Sequence, residues 1–317
     1  MLEFDFTEVY IIPEAQNSIN RKPTMKKFLL FAVFTAAVIL NAGVGLSGNF
    51  NWQSDQVKTL HPGIQYAVLQ YDTPRIMKAV IVKIDLQTPG LRFKVTPRAK
   101  EWGKPMKNEP RYVIRTRRTT VRKFMEQAVS GGDNMLIAIN GAPWAPWKYP
   151  WNHPHADKMG LLISDGVTVS PPRSDRPSFI VDKNGNCSFA VLKDGADTSH
   201  IRQAISGFAT VLQDGKLIAK DTPKNLAPRT GYGLSSDRRY LYFFVIDGRQ
   251  PDYSMGCSVY EVGEFLRHFG ASDALNMDGG GSTTIIFRNN GKITKMNHYR
   301  RGAERTVGAS LGVIIDK

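Results

Sequence analysis

From Gly63 onward the chain consists of short β-branched and aromatic runs separated by Asp-Gly and Asn-Gly pairs, and this punctuation restricts the fold more than any other feature. Gly160-LLIS-Asp165-Gly166-VTV, SFIVD-Lys183-Asn184-Gly185 and FATVLQ-Asp214-Gly215-KLIA are examples. Such pairs accept the positive φ angles that a tight hairpin turn requires, and the flanking runs suit a pleated surface. Many hairpins are expected.

Only two stretches carry a helical period. Thr120 is placed to cap a helix whose apolar Val121, Phe124, Met125, Ala128 and Val129 recur at spacings of three and four, before Gly131-Gly132 ends it. A second helix opens with the capping-box pattern Ser258-Val259-Tyr260-Glu261, carries Val262, Phe265, Leu266 and Phe269 on one side, and stops at Gly270. It lies between two continuous apolar runs, Tyr240 to Ile246 and Ala274 to Met277. Strand, helix, strand predicts a right-handed parallel crossover. The expected fold class is α/β, mixed α and β: a mixed sheet with many hairpins, at least one parallel strand-helix-strand crossover and few helices. No repeat, low-complexity tract or long linker divides the body, so 48–317 reads as a single domain.

A 317-residue chain with 42% hydrophobic and 22% charged residues is globular in balance, which excludes disordered, collagenous and coiled-coil classes. Lys+Arg 42 against Asp+Glu 28 leaves +14, a charge that attracts anionic partners without naming one. Cys187 and Cys257 are too few for a disulfide scaffold; they either bridge in an oxidising compartment or stand as separate buried thiols.

Met25-Lys26-Lys27 precedes Phe28 to Leu40, FLLFAVFTAAVIL, whose only polar member is Thr35. That is the basic and apolar part of an export signal, shorter than the about 20 apolar residues of a spanning helix. Residues 1–47 are read as an N-terminal extension and signal peptide or anchor, cleaved between about Gly43 and Phe50. The polar stretch Met1 to Thr24 leaves either Met1 or Met25 as the true start. The mature protein is expected to be exported, periplasmic or extracellular, and to meet membrane only through this segment. Nucleic acid is not an expected partner, because export argues against it and no reader motif is present.

Parallel strands end on one sheet edge, and ligands in such sheets bind beyond the carboxyl ends of the strands. The crossover therefore brings Asp247-Gly248-Arg249 to the same place as Asp278-Gly279-Gly280-Gly281-Ser282-Thr283-Thr284. A hydrolase that protonates a leaving oxygen and activates a water needs such a carboxylate pair. The glycines let backbone N–H groups converge on an anion with no Cβ in the way. The segment is not a P-loop, since the lysine is missing and a strand former follows.

Five ordered blocks resemble the phosphodiester glycosidase family: Ala138-Ile139-Asn140-Gly141, Pro228-Arg229-Thr230-Gly231-Tyr232-Gly233, Phe244-Val245-Ile246-Asp247-Gly248-Arg249, Ala274 to Thr284, and Glu304-Arg305-Thr306-Val307 followed by Leu311-Gly312-Val313. The resemblance implies an α/β domain that cleaves a sugar 1-phosphodiester at the glycosidic bond, leaving free sugar and a phosphomonoester. It implies catalytic duty for Asp278 and Asp247, in an order the sequence leaves open. It also implies a substrate- and phosphate-binding lining of Asn140, Gly141, Arg229, Arg249, Asn276, Gly279, Gly280, Gly281, Ser282 and Arg305. Arg229, Arg249 or Arg305 would clamp the phosphodiester through a charge-assisted fork.

The chain departs from that pattern after Asn140-Gly141, where the family usually continues with glycine and phenylalanine and Ala142-Pro143-Trp144-Ala145-Pro146-Trp147-Lys148-Tyr149-Pro150-Trp151 stands here. These tryptophans either form a wall for sugar rings or pack an irregular loop onto the body. His153-Pro154-His155 with Asp157 lacks the three or four positioned ligands of a zinc site, and no metal or cofactor is expected. Arg111, Arg115, Arg117, Arg118, Arg122 and Lys123 read as a solvated helix face and approach loop, or as a docking strip for an anionic polymer. Glu261 belongs to its helix cap. The functional expectation is an exported hydrolase acting on a glycosyl phosphodiester or other anionic glycan; the alternative is a non-catalytic envelope module that binds anionic glycan or phosphorylated polysaccharide.

Overall fold

Along the strand Tyr240–Ile246, Leu241, Phe243 and Val245 enter one hydrophobic layer while Tyr242, Phe244 and Ile246 enter another. Successive residues of a strand point to opposite faces, so an unbroken apolar run means that both faces are covered. This computed structural model describes residues 46, 48–147, 153–158, 160–219, 225–299 and 303–316. The chain divides into units Met1–Leu40 and Asn41–Lys317, and the export-signal reading of the first lies outside the described residues. Among the described residues no helix is long and apolar enough to cross a membrane.

The central sheet has eight strands in the order Val57–His61, Ile64–Tyr71, Met77–Asp85, Tyr240–Ile246, Arg229–Leu234, Asp273–Asn276, Ala209–Gln213 and Lys216–Leu217. On one face lies α2 (Val259–His268), whose Val262, Phe265 and Leu266 are buried with Trp52 and Phe244. The other face packs on a five-stranded sheet, Lys292–Lys295, Ile285–Asn289, Met135–Asn140, Ser310–Ile315 and Leu91–Val95. The far face of that sheet is closed by Val121, Phe124, Met125 and Ala128 of α1 (Val121–Ser130). A further five-stranded sheet built around Pro177–Asp182 and Ile201–Ser206 contributes Phe179 and Ile205 to the same inner layer.

Local signals behave as their chemistry requires. The Thr120 hydroxyl accepts from the Lys123 amide at 3.0 Å. Ser258 and Glu261 form the reciprocal capping box. Asp165-Gly166 and Asp214-Gly215 turn their hairpins with φ of 49° and 77°, and 48° and 75°.

The fold class needs correction. The described strand pairings are all antiparallel and the protein is mostly β, with no parallel strand-helix-strand crossover. The two runs flanking α2 do not pair, because Arg229–Leu234 lies between them, antiparallel to both. Their unbroken hydrophobicity reflects burial between α2 and the second sheet, not parallel pairing. Gly231 and Gly233 admit the intervening strand beneath the helix: a Cβ on Gly231 would lie 2.7 Å from Val262 Cγ1, and one on Gly233 would lie 2.8 Å from Ala271 Cβ. Since Tyr240–Ile246 and Asp273–Asn276 are each antiparallel to the strand between them, they run in the same direction and their carboxyl ends share a sheet edge with Arg229.

Candidate active site

Asp247 follows Ile246 directly and Asp278 comes two residues after Asn276, so both stand on that edge. The register places Arg229 opposite Ile246. The backbone of Asp278 is pinned on both sides: its amide donates to the Gly141 carbonyl at 2.9 Å, and its carbonyl accepts from Asn140 Nδ2 at 2.6 Å. The Asp247 carboxylate accepts from the His298 amide at 3.0 Å and from Asn297 Nδ2 at 3.2 Å, tying a distant loop to the strand end.

Both carboxyls are buried. Desolvation pushes Asp247 up to about 6 against the pull of His298, Asn297 and Lys295. It likewise pushes Asp278 up to about 6 against Ser282, the Gly279 amide, Arg305 and Lys158. Carboxyls of this kind change protonation near neutrality.

The turn after Asp278 leaves little room for side chains. Gly280 has φ of 59°, which favours glycine, and begins the 3-10 turn Gly280–Ser282. A Cβ on Gly280 would meet Arg249 Nη1 at 3.3 Å, and one on Gly281 would meet Arg305 Cζ at 2.5 Å. One on Gly279 would lie 3.7 Å from Arg229 Cδ. The three predicted arginines therefore converge on the turn. Two of the glycine amides are spent within the protein instead of cradling an anion: Gly279 N donates to Asp278 Oδ1 at 2.9 Å and Gly280 N to the Pro228 carbonyl at 2.8 Å. The glycines make space for guanidinium groups.

Other predicted residues are placed unequally. Asn140 is fully buried and its amide is spent inside the protein, accepting from Thr230 Oγ1 at 2.8 Å and the Thr284 amide at 3.0 Å. It braces Asp278 instead of lining a cavity. Gly141 lets Ile205 approach, since a Cβ there would fall 2.1 Å from Ile205 Cδ1. Asn276 is buried with an Oδ1 that has no partner among the described residues, and Ser282 is buried beside Asp278. Arg229 donates to the carbonyls of Cys257 and Asn225. Trp144 is buried against Trp147, ring centroids 5.0 Å apart, whereas Trp147 is 52% exposed and lies 4.9 Å from Arg305. Trp151 lies outside the described residues.

Within the basic run Arg111, Arg117 and Lys123 are exposed, while Arg115, Arg118 and Arg122 have separate partners. Arg115 lies 3.5 Å from Asp157, and Arg122 contacts Glu304. Arg118 is buried, donates to the carbonyls of His153 and Thr306, and covers the Trp144 ring at 4.0 Å. Burial and Arg305 lower it to about 10. His155 faces Glu101 at 3.3 Å while Asp157 accepts backbone amides, and no three His, Cys, Asp or Glu side chains among the described residues could hold a metal. Cys187 and Cys257 are separate, free and buried. Lys158, buried and coupled to Asp278, escaped the sequence reading. Its only signal is its phase with Ala156 on His155–Lys158, visible once that strand is known.

A structural comparison finds similarity to the zebrafish N-acetylglucosamine-1-phosphodiester alpha-N-acetylglucosaminidase catalytic domain, auto-inhibited by its pro-peptide, at 21% identity and a TM-score of 0.55, covering 85% of this chain and 87% of that one. A hypothetical protein from Synechocystis is similar at 12% identity and TM-score 0.55, covering 83% and 64% respectively. A putative exported protein from Burkholderia pseudomallei is similar at 14% identity and TM-score 0.52, covering 75% and 74%. These likenesses concern the fold. No curated protein sequence matches significantly. A family model described as phosphodiester glycosidase matches residues 133–314, more than half of the chain and all five sequence blocks. The chain belongs to the phosphodiester glycosidase family.

Proposed function

We propose that the chain is an exported hydrolase that cleaves the glycosidic bond of a sugar 1-phosphodiester, releasing free sugar and a phosphomonoester. The observation that carries this reading is the placement, on one sheet edge, of two buried carboxylates, Asp247 and Asp278, and a glycine turn packed by Arg229, Arg249 and Arg305. In the reaction the bond between the anomeric carbon and a phosphate oxygen breaks, and its electron pair leaves with the phosphate. Water supplies hydroxyl to the carbon, and its proton passes to a carboxylate. Guanidinium groups stabilise the charge that gathers on the departing phosphate, so protonation of the leaving oxygen matters less than it does for an alcohol. Asp278, facing Arg305 and Lys158, suits the ionised role of base or nucleophile. Asp247 takes the complementary role, since two carboxylates at one site divide the acid and base duties.

The zebrafish relative's name, an N-acetylglucosamine-1-phosphodiester hydrolase, supports the reaction class. Trp147 beside Arg305 offers an exposed face for a sugar ring. Export rests on Met25-Lys26-Lys27 and Phe28 to Leu40. Gly48 and Phe50 contact His268 at the end of α2, at 2.7 and 2.8 Å, so cleavage ahead of Gly48 preserves both contacts.

The test is release of free sugar from a panel of sugar 1-phosphodiesters, run beside matched neutral glycosides at low and high salt. A preference for the phosphodiester that persists in high salt is expected, because donors aimed at a phosphate are left unpaired without it. Equal cleavage of both series would remove the phosphodiester assignment. Binding without product, unaffected by Asp278→Asn, would favour the envelope-module alternative.

A further inference from the structure

We infer that the cleft at the start of α1 is a second anion subsite, which takes a further phosphate of a substrate made of repeated sugar phosphates. The cleft has a volume of about 440 Å³, and Arg117, Arg118, Thr120, Lys123 and Thr306 are among its lining residues, none of which is acidic. That volume lies within the roughly 300–1,000 Å³ of small-ligand pockets. Arg117 and Lys123 are exposed and make no ion pair among the described residues. Their charges are available to a ligand.

Two hydroxyls add to the three cations. Thr120 Oγ1 accepts from the Lys123 amide at 3.0 Å, and Thr306 Oγ1 accepts from Arg118 Nη2 at 2.9 Å. Neither hydroxyl donates to an acceptor among the described residues, so each keeps its proton for a ligand oxygen. Arg118 donates to the carbonyls of His153 and Thr306 and stays protonated at neutral pH, since burial and Arg305 lower it only to about 10. The helix end is not itself the site, because its Arg122 and Lys123 amides already donate to Glu304 and Thr120. Glu304 lies outside the lining and 3.8 Å from Arg122 Nε. Three cations and two hydroxyl protons border one cleft with no carboxylate to balance them. A phosphate, with its charge and its acceptor oxygens, matches that set.

The cleft adjoins the candidate active site by two routes. Thr306 of its lining follows Arg305, the arginine against Gly281, and consecutive Cα atoms are about 3.8 Å apart. Arg118 covers the Trp144 ring at 4.0 Å, Trp144 packs on Trp147 with ring centroids 5.0 Å apart, and Trp147 lies 4.9 Å from Arg305. Cation, ring, ring and cation form one continuous stack from the cleft to the glycine turn. A substrate with a single phosphate needs only the arginines of the turn. A chain of sugar phosphates carries one phosphate per unit and can engage both places, and the net charge of +14 suits such a polymer. This assignment deepens the hydrolase reading and rests on it for the chemistry of the substrate.

Calorimetric binding of a panel of phosphate-linked hexose and N-acetylhexosamine oligomers, with one phosphate or three, tests it on Asp278→Asn protein so that no oligomer is cut. Arg117→Gln with Lys123→Gln removes two charges of the cleft at exposed positions, and Lys183→Gln with Lys193→Gln removes two exposed charges elsewhere. A three-phosphate oligomer should bind at least about 10-fold tighter than its one-phosphate counterpart, the scale of one charge-assisted contact. The cleft pair should erase that excess, and the control pair should keep it. Equal affinity for one and three phosphates across the panel overturns the inference, and so does an equal loss in both variant pairs, the mark of general surface charge. An oligothymidylate of three phosphates bound as tightly as the sugar chain overturns the substrate assignment. Should wild type release no sugar from any phosphodiester, the hydrolase reading fails while these affinities still decide the role of the cleft.

Discussion

Gly281→Ala separates what the glycine turn does for folding from what it does for the arginine above it. A Cβ at 281 would lie 2.5 Å from Arg305 Cζ and Nη2 and 2.9 Å from its Nε. Gly281 is outside the left-handed region that Gly280 occupies at φ of 59°, so its backbone suits alanine. Alanine also restricts the unfolded chain, a gain of about 0.4–1 kcal/mol, and the end of a flexible side chain yields cheaply. Stability should stay within about 1 kcal/mol of wild type. The guanidinium, however, must move. Loss of one charge-assisted contact to an anionic substrate removes about 1.5–3 kcal/mol. At about 1.4 kcal/mol per decade, kcat/KM for a sugar 1-phosphodiester should fall roughly 10- to 150-fold. A matched neutral glycoside should lose far less, having no phosphate to hold. Gly280→Ala is the contrast, since its backbone costs about 1–2 kcal/mol in alanine and Tm should fall as well. Steady-state kinetics on both substrates and thermal melts of both variants make the comparison. Unchanged kcat/KM in a normally folded Gly281→Ala would refute the placement of Arg305 against the phosphate.

Asp278→Asn should lower turnover by at least about 100-fold, the scale of a lost acid–base or nucleophilic group. Its pH–stability behaviour has a definite sign: the folded value of about 6 lies above the ordinary 3.8, so the native state keeps a proton that the unfolded chain has released. Wild type should therefore lose up to about 3 kcal/mol from this group as pH rises from about 4 to about 6. Melts across that range should show Asp278→Asn more stable than wild type at pH 7 and the gap closing near pH 4. Phe265→Ala should cost about 3–5 kcal/mol in denaturant unfolding, because Phe265 is fully buried and stacks on Phe244 at 4.8 Å. Gly231→Val should cost about 1–3 kcal/mol by the same measurement, since its branched side chain would have to displace Val262 and Leu266.

What depends on residues close together in the chain was legible in the sequence. Asp165-Gly166 and Asp214-Gly215 make their own turns, and Thr120, Ser258 and Glu261 cap their own helices, because a turn or cap is completed within four residues. The blocks around Asp247, Asp278 and Arg305 marked the candidate site for a related reason: a family motif is a set of particular side chains, and those letters stand in the chain whatever the fold around them. Strand order was not legible. Tyr240–Ile246 and Asp273–Asn276 read as a parallel pair because two-sided burial looks the same in any sheet, and only the tertiary structure shows Arg229–Leu234 between them. The same limit hid the roles of individual side chains. Asn140 turns inward to brace Asp278, the Gly279 and Gly280 amides bond within the protein, and Lys158 loses its solvent to Trp144 and Gly308. Burial and hydrogen-bond partnership are set by segments far apart in sequence, and they become fixed only when the sheets close on one another.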